Sequence, residues 1–177
     1  MKLPILCFDR DQTVDVNPDP ELKPVPLSWI QFFAHETDLH VWATGNQQLQ
    51  IEAAIPTPYE AREILINNGH NVRFMPGGGN KYREDRLKIL DRLYKEMNID
   101  AEFLVVDDAK LSGFCRRNDR WDWCNPEDFV VGIESIDVPE PNGSLVSGEP
   151  YYNTEENGTY NEMLKEMDSM VKPTEKT

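Results

Sequence analysis

The sequence predicts an α/β fold, a mostly parallel sheet with helices on both faces and no large accessory domain. Three observations point there. Leu3 to Phe8, Leu39 to Ala43 and Phe103 to Val106 are short, nearly continuous apolar runs, the pattern of strands buried on both faces. Stretches with helical apolar spacing lie between them. Each run also ends in polar, chemistry-bearing residues, and the carboxyl ends of strands are where ligands bind in such sheets.

The elements follow in order. Leu3 to Phe8 runs into Asp9 and Asp11 and reads as the first strand. Pro24 and Pro26 punctuate the chain before a helix over Leu27 to His35, with Leu27, Ile30 and either Phe33 or Phe32 on one face. Leu39 to Ala43 is the second strand, closed by Thr44-Gly45-Asn46. Gln47 to Ala54 and Tyr59 to Asn68 read as helices separated by Pro56 and Pro58, the second stopped by Asn68-Gly69. Val72 to Met75 reads as a short third strand before the turn Pro76-Gly77-Gly78-Gly79-Asn80. Lys81 to Met97 carries the strongest helical pattern, with Leu87, Leu90, Leu93, Tyr94 and Met97 on one face. Phe103 to Val106 is a fourth strand ending in Asp107-Asp108, and Phe129 to Ile133 reads as a fifth. From Ile136 to Gly158 the chain is rich in Pro, Gly, Asn, Ser and acid and reads as loop or linker. Thr159 to Val171 suits one more helix. The expected organisation is a catalytic domain over residues 1–136 and an acidic linker with a terminal helix over 137–177.

The 177 residues suffice to bury a core without disulfides or a structural metal. The net charge is -14, but it is unevenly spread: residues 121–164 hold ten acidic residues and no Lys or Arg, whereas residues 1–120 sum to only -4. A global acidic excess argues against generic duplex-DNA binding and against an anionic membrane surface. It leaves phosphorylated ligands open, since a local cluster or a metal overrides the global sign. No apolar run approaches the roughly 20 residues a bilayer-spanning helix needs. Cys7, Cys115 and Cys124 are three thiols with no metal-ligand spacing, which suits a reducing, cytoplasmic setting.

The strand ends carry the chemistry. Asp9 and Asp11 lie two residues apart after one strand, and Asp107 and Asp108 close another. Converging carboxylates repel and raise one another's pKa unless a cation neutralises them, and an all-oxygen set selects a hard cation such as Mg²⁺. Thr44 and Gly45 offer a hydroxyl and a backbone N–H to a phosphoryl oxygen. Lys81, at the head of a helix after a glycine turn, adds a cation and the helix N-terminal dipole, with Lys88 as a competing candidate. Together these are the parts of phosphoryl transfer through an aspartyl-phosphate. Taken singly, each has an ordinary structural explanation: an Asp-x-Asp in a turn, Asp107-Asp108 capping a helix, Thr44-Gly45-Asn46 as a plain turn, a solvated lysine.

In this order, Cys7-Phe8-Asp9-Arg10-Asp11-Gln12-Thr13-Val14, Trp42-Ala43-Thr44-Gly45-Asn46, Lys81 heading a long helix and Val105-Val106-Asp107-Asp108 resemble the motifs of the haloacid dehalogenase (HAD) superfamily of phosphohydrolases. The resemblance spans about residues 3 to 133 and is to capless members, including uncharacterised archaeal ones. It implies a Rossmann-like (HAD-like) sheet, with Asp9 as nucleophile and Asp11 as the acid/base. It further implies Mg²⁺ held by Asp9, the backbone carbonyl of Asp11 and Asp108 with Asp107 in support, and Thr44, Gly45 and Lys81 on the phosphoryl group. Gln12 departs from the glycine or glutamate often found there. The expected activity is hydrolysis of a phosphomonoester; an inactive binding or adaptor protein and a phosphotransferase on the same fold are the alternatives.

Two other motif readings fail. A calcium loop starting at Asp9 would need glycine where Val14 stands and glutamate where Pro20 stands. A receiver-type phosphoacceptor domain would place its lysine last, whereas Lys81 precedes Asp107-Asp108. The spacing between strands leaves no room for a large cap, which suits a macromolecular substrate or a small phosphorylated one. Arg116 to Trp123 combines guanidinium and indole groups and reads either as a ligand-stacking segment or as a loop anchored by buried tryptophans.

Overall fold

The computed structural model describes residues 2–45, 48–72, 80–133, 138 and 161–173, the side chains at 80, 81 and 161 excepted. Among these residues the element order is β1 (Leu3–Phe8), α1 (Leu27–His35), β2 (His40–Ala43), α2 (Gln48–Ala53), α3 (Pro58–Asn67), α4 (Asn80–Glu96), β3 (Ala101–Val106), α5 (Ser112–Arg117), β4 (Trp121–Cys124), α6 (Pro126–Ile133) and α7 (Asn161–Met170). All four strands are parallel, in the order β2-β1-β3-β4. No described helix is long and apolar enough to cross a membrane.

The alternation of side chains along the strands builds two cores. Ile5 and Cys7 of β1, Trp42 of β2, Phe103 and Val105 of β3 and Trp121 of β4 point to one face. There they meet Leu65 of α3, Leu87, Leu90, Leu93 and Tyr94 of α4, and Phe114 of α5. Phe8, Val41, Ala43 and Val106 point to the other face, against Ile30 of α1, Leu49 of α2, and Phe129 and Val130 of α6. The strands are therefore apolar at successive positions because both faces are covered.

Local signals set the helix ends. Thr57 caps α3 by accepting from the Tyr59 amide, Glu60 returns a carboxylate to the Thr57 amide, and Pro58 occupies the first turn. α1 has no cap of its own, and the Leu27 amide instead donates to Asp15 Oδ1 at 3.0 Å.

One expectation is overturned, and one strand appears that the sequence did not announce. Phe129 to Ile133 is not a strand but part of α6, where Asn125 Oδ1 accepts from the Asp128 amide at the helix start. Its apolar residues fit a helix that buries Phe129 and Val130 on one side and leaves Val131 exposed. The fourth strand of the sheet is instead Trp121–Cys124, where Asp122, with Asn125 just beyond the strand, hid an apolar signal carried by two tryptophans. The short strand expected over Val72 to Met75 lies outside the described residues except for Val72, as does nearly all of the acidic linker. α7 forms as expected, and it is no detached appendage: Met167 and Val171 are buried in the same core as α3 and α4.

Candidate functional site

The chain runs from β1 outward to β2 and then crosses back past β1 to β3, so the strand order reverses between β1 and β3. At such a switch point the two following loops diverge and leave a crevice beyond the carboxyl ends. Register decides what stands there. Phe8 pairs with Ala43 and with Val106, and the ladder continues one step beyond each strand. The Thr44 amide donates to Phe8 O at 2.9 Å, the Asp9 amide to Val106 O at 3.0 Å and the Asp107 amide to Cys124 O at 3.2 Å. Thr44, Asp9 and Asp107 are thus pinned side by side on the rim.

Oxygens of Asp9, Asp107 and Asp108 lie within 4.8 Å of one another. Thr13, fully buried, knits two of these residues together. Its Oγ1 accepts the Asp108 amide at 3.1 Å and lies 3.2 Å from Asp9 Oδ2 and 3.4 Å from Asp108 Oδ1, donating its one proton between them. Gly45 passes so close to Asp9 that only glycine fits, since a Cβ there would stand 1.9 Å from Asp9 Oδ1.

Asp9, Asp11, Gln12, Gly45, Arg83, Arg86 and Asp108 line a cleft of about 410 Å³. Burial, reinforced by the Asp107 charge, pushes the Asp9 carboxyl pKa well above the ordinary range. Burial also raises Asp107, against the opposing pull of the Arg83 guanidinium. Arg83 Nη1 donates to Asp107 Oδ1 at 2.8 Å, and Arg86 Nε donates to the Thr44 carbonyl at 3.0 Å. Three buried polar atoms in this region have no hydrogen-bond partner among the described residues: Thr44 Oγ1, Asp107 Oδ2 and Arg83 Nε. Buried polar groups are rarely left so, and a cluster of them at a strand-end crevice offers hydrogen-bonding capacity to water, an ion or a polar ligand.

Asp9, Asp11, Gly45 and Asp108 line the cleft, and Thr44 and Asp107 stand beside them on the rim. Asp11 is less buried than Asp9, with its Oδ1 accepting from Arg10 Nη1 and Asn17 Nδ2. Lys81 is the second residue of α4, and its side chain lies outside the described part. Lys88, its competitor, is exposed and does not line the cleft. The described cations that do line it are Arg83 and Arg86, three residues apart on the first turns of α4. In the sequence both belong to a basic cluster of Lys81, Arg83, Arg86, Lys88, Arg92 and Lys95, mixed with Glu84, Asp85 and Asp91, that could draw a polyanion but reads more readily as a solvated helix face with spaced ion pairs. Thr13 was quoted within the first motif without a role, and only the fold shows its hydroxyl facing Asp108 across 95 residues.

Gln12 has φ of 64°, the left-handed region where glycine is at ease. Gln12 therefore holds a conformation that most side chains avoid, and its amide closes the turn by donating to Asn17 O at 2.7 Å. The Arg116 to Trp123 segment serves the frame rather than the cleft. Trp121 is buried and stacks on Phe103 at 4.1 Å, and Arg117 and Arg120 pair with Glu84 and Asp91 of α4. Trp123 Nε1 donates to the Asp107 carbonyl at 2.9 Å, bracing the rim from β4.

No family model matches the chain, and no curated protein or solved structure matches it either.

Proposed function

We propose that this protein is a Mg²⁺-dependent phosphatase that hydrolyses a phosphomonoester through an aspartyl-phosphate on Asp9. The observation that carries the reading is the three-carboxylate cluster of Asp9, Asp107 and Asp108, two of which, Asp9 and Asp108, line a cleft shared with two arginines. The order of motifs, resembling HAD phosphohydrolases, gives the reading its chemical direction.

The residues fit a hard divalent cation. The donor set is all oxygen, Asp107 Oδ2 is buried without a partner among the described residues, and burial, joined at Asp9 by the Asp107 charge, disfavours the ionised form of both carboxyls, which added positive charge would offset. Asp9 and Asp108 would hold the ion, with the Asp11 carbonyl and Asp107 in support. When bound, Mg²⁺ supplies charge neutralisation for the carboxylates and for the phosphoryl oxygens.

Asp9 attacks phosphorus with a carboxylate oxygen, forming an O–P bond as the ester P–O bond breaks. Asp11, lining the same cleft, gives its proton to the departing ester oxygen. It then takes a proton from the water that attacks the aspartyl-phosphate, releasing inorganic phosphate and restoring Asp9. Arg83 and Arg86 set positive charge beside the cleft, and the Thr44 hydroxyl provides a donor for a non-bridging oxygen. A floor of Phe8, Val106 and Phe129 beneath Asp9 keeps bulk water from one side.

The test is phosphate release from 4-nitrophenyl phosphate and a panel of phosphometabolites, with and without Mg²⁺. Wild type is expected to turn over only with the metal, and Asp9→Asn to lose turnover. Absence of turnover by wild type across the panel, or unaltered turnover by Asp9→Asn, removes the proposal.

A further inference from the structure

Behind the cleft lies a pair of charged residues, Arg10 and Glu52. Glu52, on α2, is fully buried, and Arg10, between the two aspartates of the first motif, is only 13% exposed at its side chain. Arg10 Nε donates to Glu52 Oε1 at 2.7 Å and Nη2 to Glu52 Oε2 at 3.2 Å, a two-point clamp. The same guanidinium extends Nη1 to Asp11 Oδ1 at 2.8 Å. Behind it, Gln31 Nε2 of α1 donates to the Glu52 carbonyl at 2.9 Å and ties α2 to its neighbour.

A buried ion pair is a weak source of stability, because desolvating two charges offsets most of their attraction. A hydrophobic pair would serve packing as well. What the charged pair adds is direction. Arginine's planar fork, held at two points by Glu52, fixes where its third nitrogen lies. That nitrogen meets the carboxylate of the residue on which leaving-group protonation depends. Asn17 Nδ2 reaches the same Oδ1 at 3.2 Å from across the turn. Two donors on one oxygen fix the rotation of the Asp11 carboxylate, although its side chain is 46% exposed and would otherwise sample several rotamers.

We propose that Arg10, clamped by Glu52, is a positioning residue that holds Asp11 in line with the ester oxygen of the substrate. The proposal rests on the phosphatase reading above. The step it serves is the transfer of the Asp11 proton to the ester oxygen, while that oxygen keeps the electron pair of the breaking P–O bond and Asp9 forms the new one.

Leaving-group dependence separates this role from a structural one. An aryl phosphate with an acidic phenol departs with little protonation, whereas an alkyl phosphate departs poorly without a general acid, whose contribution is about 10²–10⁴-fold. Glu52→Gln keeps size and burial but loosens the clamp, and Arg10→Lys keeps charge but loses the fork. Both are expected to lower kcat for an alkyl phosphate at least about ten-fold more than kcat for 4-nitrophenyl phosphate, with KM little changed. Asn17→Ala, at an exposed position where folding is not at stake, is expected to show the same bias at smaller size. A second readout needs no turnover: in the ¹⁵N spectrum of the metal-free protein, the Arg10 Nε–H should be protected from exchange, and Glu52→Gln should remove that protection. An equal loss on both esters, or no loss in any of the three variants, overturns the positioning role while leaving the phosphatase reading intact. Turnover of neither ester by wild type overturns both.

Discussion

Gly45 and Asp9 approach so closely that any side chain on Gly45 would occupy the position of the Asp9 carboxylate. The turn after β2 and the acid after β1 are thereby one unit, and a methyl group suffices to separate them. Gly45→Ala is expected to displace Asp9, lower Mg²⁺-dependent phosphate release at least ~100-fold and cost ~1–3 kcal/mol in folding stability, the range for overpacking. Steady-state kinetics alongside urea unfolding checks both; full activity would show that Asp9 need not stand where it does.

Thr13 ties the first loop to Asp108 through a single buried hydroxyl. Thr13→Val keeps the shape, but strands the Asp108 amide and removes a donor from both carboxylates. The expected loss is ~1–3 kcal/mol of stability, together with weaker Mg²⁺ binding by calorimetry. Thr13→Ser, which keeps the hydroxyl, should retain most of the affinity. Equal metal affinity in the valine and serine variants would remove the hydroxyl from the site.

The carboxylate cluster makes a signed prediction for pH. Asp9 and Asp107 are raised in the folded state, to about 8 and about 7, above the ordinary value of 3.8 they regain on unfolding. Between those limits the folded protein binds more protons than the unfolded one, so the stability these groups contribute is full at low pH and is lost as pH rises through the folded values. Metal-free protein should therefore melt at a lower temperature at pH 8 than at pH 5. Mg²⁺ should stabilise more at pH 8 than at pH 5, since it binds the ionised form. Asp9→Asn should flatten the metal-free profile. Differential scanning fluorimetry over this range reads all three, and a melting temperature that rises steadily from pH 5 to 8 without metal would contradict the cluster.

Arg83 neutralises Asp107 from α4, whereas Lys88 faces solvent on the same helix. Arg83→Gln is expected to raise KM for the phosphate ester about ten-fold, a loss of roughly 1.4 kcal/mol of binding. Lys88→Gln should leave both kinetic constants within two-fold. A reversed pattern would move the phosphate site to the other face of α4.

α7 is part of the folded unit through Met167, which is buried, while Met170 three residues later is 40% exposed. Met167→Ala should destabilise by ~2–5 kcal/mol, the range for emptying a buried methionine. Met170→Ala should stay within ~0.5 kcal/mol. Urea unfolding of the full chain distinguishes them, and equal small effects would detach the helix from the core.

How much of this could be read in the sequence varies with how local the signal is. β1 is apolar at successive positions because both its faces are covered, so its limits agree with the run Leu3 to Phe8. α1 agrees as well, bounded by Pro26 and a polar turn. β4 was missed because Trp121-Asp122-Trp123-Cys124 is too short and too polar to declare itself. It is a strand only because Phe103 offers a surface for Trp121 to stack on and β3 an open edge to pair with. α6 was misread because a short apolar run carries no period that separates helix from strand.

The site divides in the same way. The residues of the sequence alone determined that Asp9, Asp11, Thr44, Gly45, Asp107 and Asp108 belong at strand ends, since each follows an apolar run within three positions. Only the tertiary structure decided the rest. The parallel register at the β1–β3 switch point sets which carboxylates converge. The rotation of α4 on the sheet turns Arg83 and Arg86 toward them, and Lys88 away. The packing of α2 against the first loop hands Arg10 to Glu52. Strand ends are signalled by neighbours in the chain, whereas the direction in which a helix presents its charges is set by which of its faces the sheet buries.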